Sequence, residues 1–267
     1  MPTRQPPKTE EGLFVSHLML RITNESRANP EELQTKATDA VDLLSTVSEE
    51  HKFDLVRVVS GEADFMTVLF TESLEAIETF QRQLLSSSIG AELERVDTFL
   101  SVTELSMYES LEERVESSLR KEGISPNDDN YDEAYKEREK RLKKYQQMRL
   151  DPDIPEMSYV TFYPMSKRRA PEQNWYQLPQ EERAEMMSSH GKIGRQYAGK
   201  VQQIITSCVG LDDWEWGVTL YSDDLKQFKR LIYEMRFDEV SAEYSDFGPF
   251  YTGFSIDPDE FPEYLSS

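Results

Sequence analysis

One cysteine, Cys208, stands alone among 267 residues, which excludes an intrachain disulfide and a cysteine metal cluster. It lies in the apolar stretch "IITSCV", where a buried, inert thiol is the ordinary outcome. Apolar runs never approach the roughly 20 residues needed to span a bilayer. The leading "MPTRQPPKTEEGLF" lacks the apolar core of a signal peptide. A cytoplasmic chain without a membrane span is the expectation. Positive charge is scarce, with 30 Lys+Arg against 51 Asp+Glu and a formal net charge of -21. A field of that sign repels nucleic acid and anionic membranes, so no nucleic-acid partner is expected, and an anionic ligand needs a local basic site.

What is present reads as a soluble globular chain, 37% hydrophobic and 11% aromatic. Residues 1–11 carry Pro, Lys and Glu and read as a disordered tail. From there the pattern runs strand (Leu13–Ile22), helix (Asn29–Glu50), two strands about a turn at Gly61–Ala63, a capped helix from Ser73, and a strand from Leu93. This β-α-β-β-α-β order is the ferredoxin-like unit, over residues 12–108. Residues 109–155 form a charged connector with helical propensity over Tyr131–Met148. Residues 156–267 repeat the first order, with a helix beginning near Pro179, paired strands about Gly210–Asp212, a helix capped by Ser222, and a closing strand "FGPFYTGFSI". "FMTVLFTESLEAI" lies on "GVTLYSDDLKQF" when Trp216 is set on Phe65; Leu74 then meets Leu225. The expectation is an α+β fold, duplicated ferredoxin-like halves whose sheets pack face to face as a dimeric α+β barrel.

Chemistry concentrates in the second half. "VTFYPMSKRR" begins as a buried strand and ends in Tyr163 followed by Lys167, Arg168 and Arg169. His17, in a strand, and His51, after a helix, read as structural or surface residues. His190 differs, because "MMSSHGKIGR" places Met186, Met187 and His190 on one helix face. Gly191 and Gly194 follow at once; glycine costs helix stability, and close approach of a flat ligand is one reason for its presence. An imidazole on an apolar face without companion ligands suits a haem iron rather than zinc. The alternative is a core histidine stabilised by the helix C-terminus. On the haem reading, Lys167, Arg168, Arg169, Arg195 and Arg149 would hold the macrocycle's carboxylates, each charge-assisted hydrogen bond contributing about 1.5–3 kcal/mol.

The segments "YPMSKRR", "NWYQLPQEERAEMMSSHGKIGRQYAGKVQQIITSCVGLDDWEWGVTLYSDD", "FKRLIYEMRFDEVSAEY" and "FGPFYTGF" resemble the chlorite dismutase-like family, in its coproheme decarboxylase (HemQ) branch. The likeness covers about Met157–Phe254; the first half shares the order of elements. The resemblance implies oxidative decarboxylation of two propionates of iron-coproporphyrin III to vinyl groups by hydrogen peroxide, giving haem b. By the family's pattern His190 is the proximal iron ligand and Tyr163 the redox-active tyrosine. Lys167, Arg149, Arg195 and Ser241 match residues that hold propionates or assist their chemistry. Met165 and Trp214 match pocket-lining positions, Tyr108 a further propionate contact, and Gln203 the distal position. Relatives that detoxify chlorite carry an arginine at that distal position, and a neutral amide retains an oxyanion less well. The resemblance further implies a homopentamer and an iron-inserting ferrochelatase upstream. A haem carrier or sensor without turnover, and a chlorite dismutase, are the competing readings.

Overall fold

The computed structural model describes residues 6–266. Its first half runs β1 (Lys8–Ile22), α1 (Pro30–Glu50), β2 (Lys52–Val58), β3 (Phe65–Thr71), α2 (Leu74–Ser86) and β4 (Leu93–Met107). The connector folds as α3 (Leu111–Lys121) and α4 (Tyr131–Leu150). The second half runs β5 (Tyr159–Lys167), a small hairpin of β6 (Arg169–Ala170) and β7 (Gln173–Asn174), α5 (Gln180–Arg195), β8 (Gln202–Ser207), β9 (Trp216–Ser222), α6 (Leu225–Met235), α7 (Glu239–Tyr244), β10 (Ser245–Phe247), β11 (Tyr251–Ile256) and α8 (Phe261–Ser266).

The α+β expectation is met, and the sheet shows how the halves join. Strand order is β10-β5-β11-β2-β3-β1-β4-β8-β9, with β9 also pairing with β5. Apart from β10, which extends the pairing along β5, the strands therefore close into a ring. Within it each half keeps the ferredoxin-like arrangement, β4-β1-β3-β2 and β11-β5-β9-β8. The inner faces of the two halves pack on each other across the barrel interior, where Val15 and Met19 share one cluster with Phe162 and Ile204. The halves are also hydrogen-bonded edge to edge, β4 to β8 through Val102↔Ser207 and β2 to β11 through Val58↔Gly253. Closure satisfies edges that two open sheets would leave unpaired.

Alternation along each strand separates two environments. Val15, Met19, Val56, Met66, Val68, Phe99, Phe162, Ile204 and Tyr221 fill the barrel interior. On the first half's outer face, Leu18, Leu20, Phe65 and Leu69 pack beneath Leu33, Ala37, Leu44, Ile77, Phe80 and Phe261 of α1, α2 and α8. On the second half's outer face, Tyr163, Val218 and Leu220 pack beneath Phe228 and Leu231 of α6.

The residue-by-residue overlay of the halves holds at its junction. β3 and β9 begin at Phe65 and Trp216, and α2 and α6 begin at Leu74 and Leu225. Gly61, with φ 77°, supplies the left-handed turn between β2 and β3.

Four local expectations are corrected. The tail is shorter, because residues 8–11 pair with β4 as part of β1, and residues 1–5 lie outside the described residues. The cap of α6 is Asp224, which accepts from Lys226 N; Ser222 ends β9 and donates instead to Lys200 O. The connector holds a second helix, α3, started by a capping box between Ser110 and Glu113. The closing strand is interrupted at residues 248–250, between β10 and β11.

His17 is fully buried inside the barrel, where it stacks on Phe162 at 4.0 Å and Nε2 meets Thr219 Oγ1 at 2.9 Å. Burial drives its pKa down to about 3. Cys208 is buried as expected, and its thiol donates to Trp214 O. Among the described residues no helix is long and apolar enough to cross a membrane.

Candidate active site

The site is built on the outer face of β5. Val160 and Phe162 point into the barrel, so the period of two sends Tyr163, Met165 and Lys167 to the side covered by helices. Register places Tyr163 opposite Val218 and Met165 opposite Trp216 of β9. β8 continues the floor, with Gln203 opposite Leu220 and Ile205 opposite Val218.

α5 lies above this floor. Arg183, Met187, His190 and Gly194 follow one another at helical spacing on one face. His190 Nδ1 donates to Asp238 Oδ2 at 2.8 Å, since a carboxylate only accepts. That bond fixes the ring and leaves Nε2 as the nitrogen available to a ligand. Asp238 is buried and caps α7, accepting from Ser241 N at 3.4 Å. The other end of α7 closes at Ser245, whose hydroxyl donates to Val240 O at 2.9 Å and accepts from Lys167 Nζ at 3.1 Å. One short helix thus joins the imidazole to the lysine of the tyrosine strand.

Tyr163 is buried against Phe250, stacked at 4.5 Å, and Phe247. Burial pushes its pKa up to about 12, opposed by the charge of Arg236, which moves a phenol already protonated at neutral pH further from ionisation. Lys167 is buried too. Desolvation brings its pKa down to about 8, against the opposing charges of Asp238 and Glu215.

The three consecutive cations part company. Lys167 turns inward. Arg168 pairs with Asp246 at 2.9 Å and reaches the carbonyls of Ala242 and Glu243. Arg169 is exposed, 3.8 Å from Glu215. A recess of about 390 Å³ beside them is lined by Arg168, Arg236, Ser241, Ala242, Ser245, Asp246 and Phe247. His190, Tyr163 and Gln203 lie outside that lining.

The remaining residues singled out in the sequence are dispersed. Gln203 meets α5 at Gly194, where an added Cβ would lie 3.4 Å from Gln203 Nε2 and 3.5 Å from Met235 Cε. Gly194 thus permits close packing of α5 on β8, whereas Gly191 faces only the guanidinium of Arg195 from its own helix. Arg195 itself is exposed. Tyr108 is half-buried, its pKa raised by burial and opposed by the charge of Arg183 on α5. Arg149, in the last turn of α4, donates to Glu104 O at 3.3 Å. Trp214 turns away from Tyr163, packing against the barrel-interior cluster and over Gly248.

Three residues escaped the reading of the sequence: Asp238, Arg236 and Trp175. Asp238 had a signal, since Asp three residues before Ser241 at a helix start is a capping pattern. Arg236 lies over the Phe247 ring at 3.8 Å, and Trp175 holds Lys167 Nζ 4.7 Å above its ring; neither contact has a local sequence mark.

The donor set suits an iron porphyrin. Among the described residues no group of three or more His, Cys, Asp or Glu is placed to hold a metal. A metal already held by a macrocycle asks for one protein ligand, and His190 offers one imidazole with its carboxylate partner.

Comparison with known proteins identifies the family. The family model for chlorite dismutase matches residues 33–256. A Halobacterium salinarum protein that carries a heme-binding designation is 41% identical over 97% of this chain and 51% of its own length. A Natronomonas pharaonis protein with the same designation is 38% identical over 97% of this chain and 42% of its own. The chain thus spans about half the length of these relatives or less. Among solved structures, a heme-binding protein from Thermus thermophilus superposes with a TM-score of 0.77 at 33% identity, covering 100% of this chain and 99% of the other. A single-substitution variant of chlorite dismutase from Candidatus Nitrospira defluvii gives a TM-score of 0.72 at 16% identity over 97% of both chains, a likeness of fold.

Proposed function

This chain belongs to the chlorite dismutase family, and on that premise we propose that it binds iron-coproporphyrin III and decarboxylates two of its propionates with hydrogen peroxide to give haem b. The observation that carries this reading is the pairing, on one face of β5, of a buried protonated phenol, Tyr163, with a buried ammonium, Lys167, tied through α7 to His190.

The bound iron porphyrin supplies the peroxide-derived oxidising equivalent. Each turn of the reaction consumes one propionate carboxylate, one peroxide and one proton, and yields a vinyl group, carbon dioxide and two waters. His190 presents Nε2 to the iron while Asp238 holds Nδ1–H, fixing the ring plane. Tyr163, a phenol protonated at neutral pH and kept so by burial, would pass its hydrogen as a proton and an electron to the oxidant and regain a hydrogen atom from the propionate carbon next to the ring; the carbon radical would lose its second electron to the oxidant's remaining equivalent as the carboxylate departs as carbon dioxide. The ring partners of Tyr163, Phe247 and Phe250, exclude water from that exchange. Lys167 lies four residues along the same strand face and holds the carboxylate that will leave. Arg236 and Ser241, lining the recess next to Lys167, offer further contacts to a carboxylate. Gln203 places a neutral amide where chlorite-detoxifying relatives carry a cation, which favours this reading over chlorite dismutation.

The test loads the protein anaerobically with iron-coproporphyrin III, titrates peroxide and follows the porphyrin by mass spectrometry. The expected products differ from the substrate by successive loss of two carboxyl groups. Tyr163→Phe should bind porphyrin nearly as well and form no vinyl group; undiminished turnover by that variant would refute the role. Binding without any peroxide-dependent loss of carbon dioxide would leave a haem carrier, and oxygen release from chlorite a dismutase.

A further inference from the structure

Behind Lys167 the chain makes a tight detour. Strands β6 and β7 pair Arg169 with Asn174 and Ala170 with Gln173, and Trp175 N donates to Arg168 O at 3.0 Å. The detour returns Trp175 against the strand end that it left. There the indole is 3% exposed, wedged between Met186 of α5 and Val240 of α7, with Tyr244 at 5.8 Å. Its ring faces Lys167 Nζ at 4.7 Å. On the other side the ammonium meets Ser245 Oγ. The charged groups acting on it are Asp238, from the start of α7, and Glu215, which precedes β9 and accepts from Lys167 N at 2.7 Å.

We infer that Trp175 is a positioning residue: its indole face, opposed by Ser245, pins the Lys167 ammonium at the end of β5 so that a substrate carboxylate meets a fixed cation. The inference rests on the decarboxylase reading for its purpose, but not for its geometry. A buried lysine without a partner would release its proton or turn to solvent. An aromatic face lets it remain a cation while dry, because the ring quadrupole replaces part of the lost hydration without neutralising the charge. A carboxylate in the same place would form a closed ion pair and compete with the substrate. This explains why a hairpin of no other evident purpose brings a tryptophan, rather than an acid, to this wall.

The experiment compares Trp175→Phe, which keeps a ring face, with Trp175→Met, which keeps apolar volume without one. The full-length, ligand-free chain is treated with an amine-acylating reagent across a pH series, and Lys167 is followed by peptide mass spectrometry. Trp175→Met should acylate at Lys167 about threefold or more faster than wild type near pH 7, since the cation loses its stabilising face. Trp175→Phe should stay within about twofold of wild type. In the loaded enzyme, Trp175→Met should lower kcat with little change in porphyrin affinity. Equal acylation in wild type and Trp175→Met overturns the inference, as does equal acceleration in both variants. A second route leaves the tryptophan in place: wild-type indole emission should titrate with Lys167, and Lys167→Met should abolish that titration. Its persistence in Lys167→Met overturns the inference even if Trp175→Met does not fold. Should wild type fail to convert iron-coproporphyrin III, the functional reading falls, while ligand-free acylation still judges Trp175.

Discussion

The two halves of the barrel share order, strand arrangement and the spacing from β3 to α2 and from β9 to α6, yet their outer faces differ. Beneath α1 and α2 the first half packs Leu18, Leu20, Leu44, Leu69 and Phe80. The second half sets Tyr163, Lys167 and Gln203 on its sheet face, and His190 of α5 and Asp238 at the start of α7 among the elements that cover it. One backbone plan therefore serves as a sealed core on one side and carries the candidate site on the other. The candidate site differs from the sealed core in its side chains, and the fold alone does not supply them.

That contrast can be broken experimentally. The largest effect should come from the sealed side: Leu44→Ala, at a fully buried position, should cost about 2–5 kcal/mol in denaturant unfolding and leave the porphyrin affinity of the folded protein unchanged. Tyr163→Phe, on the other side, should cost far less stability while ending vinyl formation. Next, Asp238→Asn should weaken iron-porphyrin binding about 10–100-fold in a Soret titration, whereas His51→Asn, at the end of α1, should leave it unchanged. A third effect belongs to the interior that both halves share. His17 has a folded pKa of about 3 against 6.5, so the unfolded chain binds that proton more tightly. Its contribution is complete above about pH 6.5 and drains as pH falls toward 3, amounting to about 2 kcal/mol between pH 6.5 and 5. His17→Leu should flatten that part of the acid-unfolding profile. The smallest effects sharpen the equivalence of the halves: Ser73→Ala and Asp224→Ala remove matched helix caps, and each should cost about 1 kcal/mol.

Much of the second half was legible because local pattern and chemistry coincide there. Met186, Met187 and His190 fall on one helical face, and Tyr163, Met165 and Lys167 on one strand face, by period alone. Other residues point elsewhere for equally physical reasons. Arg168 and Arg169 follow Lys167, but a strand turns consecutive side chains apart, and the chain leaves β5 for a hairpin at that point. Trp214 stands just before β9, where direction is set by Gly248 and the barrel interior rather than by strand alternation. Asp224 outcompeted Ser222 as a cap because Ser222 is still paired with Tyr159 at the end of β9. Helix α3 was hidden in a run of charges, although Ser110 and Glu113 already spelled its start.

By itself the sequence determined the main strands and helices of each half, their duplication and the inventory of reactive groups, since these depend on periods of 2 and 3.6 residues and on side-chain type. Tertiary structure decided the rest: β4 joins β8 and β2 joins β11, His190 meets a carboxylate 48 residues away, and Lys167 rests on a tryptophan brought back by a hairpin. Periodicity fixes which way a side chain points relative to its own element. It carries no information on which distant edge or face completes the contact, because that is settled only when unpaired edges and buried charges find partners across the whole chain.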